Sequence, residues 1–181
     1  LVSQSVSDPS RRAFLLGRRN APKPAAIRPP WALRESEFVT QCSGCGDCVD
    51  ACPEGIVIIG ADKLAAIDFR QGEGQGEGLC TFCGACANAC HDHAFLAAEE
   101  RCNITPWAWR ATIGEACLTQ QGIMCQSCKD ACPTGAITFR HQLGGVAQPS
   151  LSLAQCDGCG GCVAPCPVSA VTLMEIEAAH A

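Results

Sequence analysis

The sequence of 181 residues has no tyrosine, three Trp and six Phe, and 17% of its residues are charged. So small an aromatic content argues against a large enzyme core. No apolar run approaches the roughly 18 residues that a membrane-crossing helix needs, so no membrane insertion is expected. No Ser/His/Asp set, paired acids or open-coordination metal cluster argues for substrate chemistry, and the chain is read as non-catalytic. No nucleic-acid fold motif occurs either, and nucleic acid is not an expected partner. What the chain has in excess is cysteine, 17 in all. An odd count argues against a closed disulfide framework, and a small fold without a large core then turns to metal.

Charge is divided unevenly. Residues 1–34 carry seven bases (Arg11, Arg12, Arg18, Arg19, Lys23, Arg28, Arg34) and one acid, Asp8, a net of +6. The other six bases and seventeen acids leave the rest at −11. Pro9, Pro22, Pro24, Pro29 and Pro30 favour an extended or disordered arm over residues 1–37, with one helical turn after Asp8-Pro9. The arm reads equally as a solvated tail or a docking segment. Ser10-Arg11-Arg12-Ala13-Phe14-Leu15 is similar to a twin-arginine export motif, but its apolar continuation ends at Leu16. A working signal needs roughly 7 to 15 apolar residues and a small-residue cleavage site. Retention in a reducing cytoplasm is therefore expected, which also suits free thiolates.

An internal repeat organises the remainder. The cysteines form four groups: Cys42, Cys45, Cys48, Cys52; Cys80, Cys83, Cys86, Cys90; Cys117, Cys125, Cys128, Cys132; and Cys156, Cys159, Cys162, Cys166. Groups one, two and four share the spacing C-x2-C-x2-C-x3-C, and three groups end in Cys-Pro (Pro53, Pro133, Pro167). Each group is followed by a short apolar run, at Gly55–Ile59, Ala94–Leu96, Gly135–Phe139 and Ala170–Leu173, which reads as a β-strand. Turns at Gly60-Ala61-Asp62 and Gly144-Gly145 predict hairpins, with return strands at Leu64–Phe69 and Val146–Leu153. The fold class is α+β: two tandem bacterial-type 2[4Fe-4S] ferredoxin units, residues 38–101 and 102–181, made of short hairpins and short helices. The alternating glycines of Gln71–Gly78 lack a following Lys-Ser/Thr and read as a flexible hairpin extension, not a phosphate loop.

The spacing specifies iron and sulfur. A [4Fe-4S] cube presents one iron at each corner, and three cysteines two residues apart can curl around it. The fourth lies a helical turn away and, in two-cluster ferredoxins, reaches the other cube. Crossed ligation then assigns Cys42, Cys45, Cys48 and Cys90 to one cube and Cys80, Cys83, Cys86 and Cys52 to a second. In the second unit it joins Cys156, Cys159, Cys162 and Cys132, and leaves Cys117, Cys125, Cys128 and Cys166. Seven residues separate Cys117 from Cys125, so a three-cluster protein with Cys117 unliganded remains the alternative to four. Zinc is the chemical alternative, since paired CxxC units make four-cysteine sites. It has no need of third and fourth cysteines at these offsets. Glycines at Gly44, Gly46, Gly84, Gly158, Gly160 and Gly161 leave room for close backbone approach. Cys102 reads as a small buried or free thiol, His91 as a turn residue, Phe82, Phe95 and Phe139 as shields or core, and Trp107 and Trp109 as packing between units.

The arrangement resembles the NapF-type ferredoxins of periplasmic nitrate reductase systems. The resemblance rests on Ser10-Arg11-Arg12, Ile27-Arg28-Pro29-Pro30-Trp31, the four cysteine groups, Thr112-Ile113-Gly114-Glu115-Ala116-Cys117-Leu118, Cys156-Asp157-Gly158-Cys159-Gly160-Gly161-Cys162 and the ending Cys166-Pro167-Val168-Ser169-Ala170-Val171. It covers nearly the whole chain; the Gln71–Gly78 loop and His91 depart from it without removing a ligand. It implies a cytoplasmic accessory protein that contacts the molybdenum-containing catalytic subunit of the nitrate reductase before export and assists assembly of its iron-sulfur centre. Two other readings fit the cysteines alone: an electron-transfer subunit of an oxidoreductase, and a redox or iron sensor. Anaerobic analysis is expected to find about 12 to 16 iron and as many acid-labile sulfides per chain, for three or four cubes. Zinc without sulfide would overturn the iron-sulfur reading.

Overall fold

A computed structural model describes residues 26–71 and 78–176. The turn expected after Asp8-Pro9, the Arg11-Arg12 pair and most of the glycine-rich stretch lie outside the described residues. In chain order the elements are α1 (Glu35–Gln41), α2 (Asp47–Asp50), β1 (Val57–Ile59), β2 (Ala65–Ile67), α3 (Ala85–Asn88) and α4 (Ala98–Arg101). Then come β3 (Trp109–Ile113), α5 (Ser127–Asp130), β4 (Ile137–Arg140), β5 (Gln148–Leu151) and β6 (Val171–Glu175).

Both units follow one plan, an inner hairpin flanked by an outer pair. β1 and β2 pair antiparallel with Val57 opposite Ile67, and β4 and β5 with Ile137 opposite Leu151, closing the two expected hairpins. The outer pair of the second unit is β3 with β6, Ala111 opposite Leu173. In the first unit the same position holds a single bridge, Ala32 to Phe95, flanked by Leu33 N–H to Ala94 C=O and Leu96 N–H to Trp31 C=O. The run Ala94–Leu96 is therefore a bridge and not a full strand. β3 was not anticipated from the sequence, where no strand was expected between Cys102 and Cys117. Its alternation, Trp109 and Ala111 against Arg110 and Thr112, was the available signal.

Helices α2, α3 and α5 are single turns of four residues, too short to persist alone. Each carries the third cysteine of its group. Longer α1 buries Phe38 completely, edge-on to Phe95 with ring centroids 6.0 Å apart. The second core gathers around Ala111, Ile137 and Val171.

Composition pointed to an extended or disordered arm, yet residues 26–34 lie on the first unit. Ile27 C=O accepts from Ile67 N–H, extending the edge of β2. The Arg28 guanidinium sits 4.9 Å over the Phe38 ring and donates to Glu35 (2.7 Å), Asp62 (2.6 Å) and the Ala65 carbonyl (3.0 Å). The apolar face of Phe38 and two carboxylates thus hold what composition alone treats as tail. Hydrogen bonds from Arg28 hold the Glu35 and Asp62 carboxyls below their ordinary range. Their contribution to stability is present above the unfolded carboxylate range of about 4 and is lost as pH falls through the lowered values. Because Glu35 and Asp62 are exposed, Arg28→Lys, which loses the guanidinium fork, is expected to cost about 1 kcal/mol in denaturant unfolding at neutral pH. The difference should shrink in acid.

The units meet along a narrow seam. Phe69 of the first unit and Trp107 between the units pack edge to face at 6.3 Å, and Phe82 meets Trp107 at 5.6 Å. Trp107 Nε1–H donates to the Asp157 carbonyl. Gly160 has φ +80° and faces the buried Phe69 ring so closely that a Cβ there would lie 2.1 Å from a ring carbon. Gly160→Ala therefore forces either the ring or the loop to move. A loss of about 1 to 3 kcal/mol is expected for such overpacking, measured by thermal unfolding of the loaded protein. An unchanged midpoint would show that the seam yields at no cost.

Candidate iron-sulfur sites

The third cysteine of each regular group is positioned by a left-handed residue directly after the second cysteine. Gly46 (φ 97°), Gly84 (φ 75°) and Gly160 (φ 80°) occupy that place. A second left-handed residue follows three positions after the last cysteine of every group: Gly55, His93, Gly135 and Ser169. Two are glycines, for which this conformation is free of a Cβ penalty; His93 and Ser169 adopt it with a side chain. The chain thereby reverses into the strand, or after the second group into the Ala32 to Phe95 bridge, with or without the proline.

These turns gather the cysteines from separated segments. Cys42, Cys45, Cys48 and Cys90 line one pocket with Ile59, Ala65 and Phe95 (quartet A). Cys52, Cys80, Cys83 and Cys86 line a second with Ile56, Val57 and Phe82 (quartet B). Cys132, Cys156, Cys159 and Cys162 line a third with Ala111, Ile137 and Leu173 (quartet D). Cys117, Cys125 and Cys166 approach Cys128 closely enough that their charges, after burial, raise its thiol to about 11 (quartet C). All sixteen predicted cysteines thus fall into the four crossed sets. Cys102 does not join them. It caps α4 at the surface, its thiol directed to the Ala98 carbonyl, so it is exposed where a buried position was one expectation. His91 is an exposed turn residue.

The surroundings of the sulfurs are apolar and rich in N–H donors. Phe82 N–H points to Cys80 Sγ (3.4 Å), Ala170 N–H to Cys166 Sγ (3.2 Å) and Ala111 N–H to Cys156 Sγ (3.5 Å). Burial, reinforced in Cys86 and Cys162 by neighbouring cysteines, pushes the thiols of Cys80, Cys86, Cys159 and Cys162 up to about 12. Cys132 goes the other way: burial raises it, but the Thr134 hydroxyl and the N–H groups of Thr134, Ala136 and Ile137 together bring it below its ordinary value. A thiolate in such places needs a bound cation, and the clustered cysteines supply four sulfurs per pocket. Among the described residues no three His, Cys, Asp or Glu converge on a point that one ion would occupy. Sulfurs spread around a pocket fit a cube with an iron at each corner. When bound, such a cube supplies one-electron redox chemistry.

Two supports went unread in the sequence. Asp92, two residues past Cys90, accepts from the Ser43 N–H and hydroxyl and so clasps the two segments that form quartet A. Thr119 stabilises the irregular third group. It is 1% exposed, and its hydroxyl donates to the Cys125 carbonyl (3.1 Å) and faces Cys117 Sγ, while its own carbonyl accepts from Gln148 Nε2 (2.9 Å). In place of the left-handed glycine of the other groups, Gln126 has φ −133°. Spacing shows that this loop differs; it does not show that a buried hydroxyl closes it.

The fold and the four quartets define a tandem dicluster ferredoxin. Residues 41–95 match one family of 4Fe-4S dicluster domains and residues 122–170 match another. Over 172 residues the chain is 42% identical to the ferredoxin-type protein NapF of Escherichia coli K12, covering 94% of this chain and 98% of that one. It is 38% identical over 182 residues to the Haemophilus influenzae NapF, covering 96% and 98%. A methylamine utilization ferredoxin-type protein, MauM of Methylobacillus flagellatus, is 29% identical over 170 residues, 86% of this chain and 70% of that one. The chain belongs to the NapF family of ferredoxin-type proteins. Among the described residues no helix is long and apolar enough to cross a membrane.

Thr119→Val keeps the shape and removes the hydroxyl, leaving the Cys125 carbonyl unpartnered. A cost of about 1 to 3 kcal/mol is expected, together with faster alkylation of Cys117 in the metal-free protein. Equal alkylation rates in the two proteins would show that the loop closes without Thr119.

Proposed function

We propose that this chain is a cytoplasmic accessory protein that carries a [4Fe-4S] cluster at each of the four quartets, binds the catalytic subunit of a periplasmic nitrate reductase and assists its iron-sulfur maturation before export. The observation that carries the reading is the chain-long similarity to NapF ferredoxin-type proteins, over segments that include all four cysteine groups. The charge division supports it. Arg28 is committed to Glu35 and Asp62, so the charge available to a client is that of Arg11, Arg12, Arg18, Arg19, Lys23 and Arg34. The basic arm, first unit (38–101) and second unit (102–181) are the working division, with residues 26–34 packed on the first unit.

Ile27, Arg28 and Trp31 hold the first unit, so a truncation that tests the arm stops at residue 25. Deleting residues 1–25, or changing Arg11 and Arg12 to Ala, is expected to weaken capture of the catalytic subunit while iron content stays unchanged. Capture by the intact chain should weaken as salt rises through the range where the Debye length falls below about 10 Å. Equal capture by the truncated chain would move docking to the cysteine-bearing surface. Cys117→Ser is expected to lower iron by about one quarter, one cube in four, and Cys102→Ser to leave it unchanged.

A second reading, an electron-transfer subunit, is favoured by one contact: Cys80 N–H donates to Cys159 C=O at 2.7 Å across the seam. Identifying the partner that co-purifies from cytoplasm separates the two readings.

A further inference from the structure

Tandem ferredoxin units need not communicate, and a linker alone would leave them independent. Here the contact between units falls on two cysteines. Cys80 belongs to quartet B and Cys159 to quartet D, and the path between their sulfurs is the covalent atoms of the two residues joined by one hydrogen bond of 2.7 Å. The contact lies beside buried apolar side chains. Phe69 is 4% exposed and Trp107 8% exposed, Phe82 leans edge-on against Trp107, and Gly160, next to Cys159, lacks the Cβ that would displace Phe69. So the glycine whose spacing suggested room for a cluster makes room for the other unit's ring. Within the first unit, α2, which carries Cys48 of quartet A, packs against α3, which carries Cys86 of quartet B. Within the second, Cys128 and Cys166 of quartet C share a core with Cys162 of quartet D.

From these contacts we infer that the seam through Cys80, Cys159, Phe69, Phe82, Trp107 and Gly160 is an electron-exchange contact between the units, placing the four sites in the order A, B, D, C. The inference rests on the cluster assignment proposed above. The chemistry is the exchange of one electron: a reduced centre on one side of the seam is oxidised as the centre on the other side is reduced, with no bond made or broken and no proton moved. The order differs from that of the third cysteines in sequence, because quartet D, not quartet C, faces the first unit. Sites A and C then form the two ends, and Cys45 of quartet A is exposed to a redox partner.

The test is electron paramagnetic resonance of the full chain, reduced anaerobically by dithionite, with iron and sulfide measured on the same samples. In the wild type, spin coupling beyond that of two independent pairs is expected. In Phe69→Ala/Trp107→Ala, which removes the rings that clamp the seam, that additional coupling should disappear while iron per chain and the coupling within each pair persist. Identical coupling in variant and wild type at equal iron would overturn the inference. Should the variant lose iron, the wild type decides alone: a spectrum and power saturation described by two independent pairs overturns the inference, and coupling across pairs supports it. Wild-type protein without iron and sulfide would instead overturn the cluster assignment, and the inference with it.

Discussion

The structure depends on burying four sets of thiols, each drawn from two or more segments of the chain. A neutral thiol tolerates an apolar pocket, but it leaves space in the middle; a thiolate tolerates it only beside a cation. Burial that raises the thiols of Cys48, Cys80 and Cys162 to about 11 or 12 therefore couples folding to whatever occupies the pockets. The surrounding elements are correspondingly slight. Three- to five-residue strands and single-turn helices bury too little area to hold these loops by themselves. Crossed assembly supplies the rest, since Cys52, Cys90, Cys132 and Cys166 each join the quartet built on the other cysteine group of their unit.

Local devices prepare each loop for that role. The left-handed turn three residues after each group redirects the chain into a strand in three cases and, after Cys90-His91-Asp92-His93 where proline is absent, into the Ala32 to Phe95 bridge. His91 is thus accommodated because the reversal depends on the backbone at His93. The third group reaches the same end by other means. Thr119 bonds across the loop, Gln148 fastens it to β5, and the extra residues leave Ile123 and Met124 exposed beside Cys125.

The two units meet at a seam where apolar surface and backbone polarity are satisfied together. Phe69 and Trp107 are buried and pack edge to face, Phe82 leans on Trp107, and Cys80 N–H donates to Cys159 C=O across the same seam. The amino-terminal segment adds a second tie, Trp31 N–H to the Pro106 carbonyl at 2.8 Å. A segment of basic, proline-rich composition is partly structural for this reason. Arg28 can be held by Glu35 and Asp62 because those acids come from α1 and the β1–β2 turn, which meet only after folding.

Much of this was legible in the cysteine spacing. Three residues separated by two, then a fourth three further on, is a chemical instruction repeated along the chain, and it carries the fold class, the sixteen candidate ligands and their crossing. Short apolar runs bounded by glycine likewise announced both hairpins. By itself the sequence determined which cysteines are to meet within each unit, with Cys117 left open, because those relations follow from local offsets and a known cluster shape. Only the tertiary structure decided how the units face each other, that residues 26–34 are scaffold, and that Gly160 receives Phe69. Those contacts join residues with no shared periodicity or spacing, so their pairing is set by which apolar surfaces remain after each unit has closed.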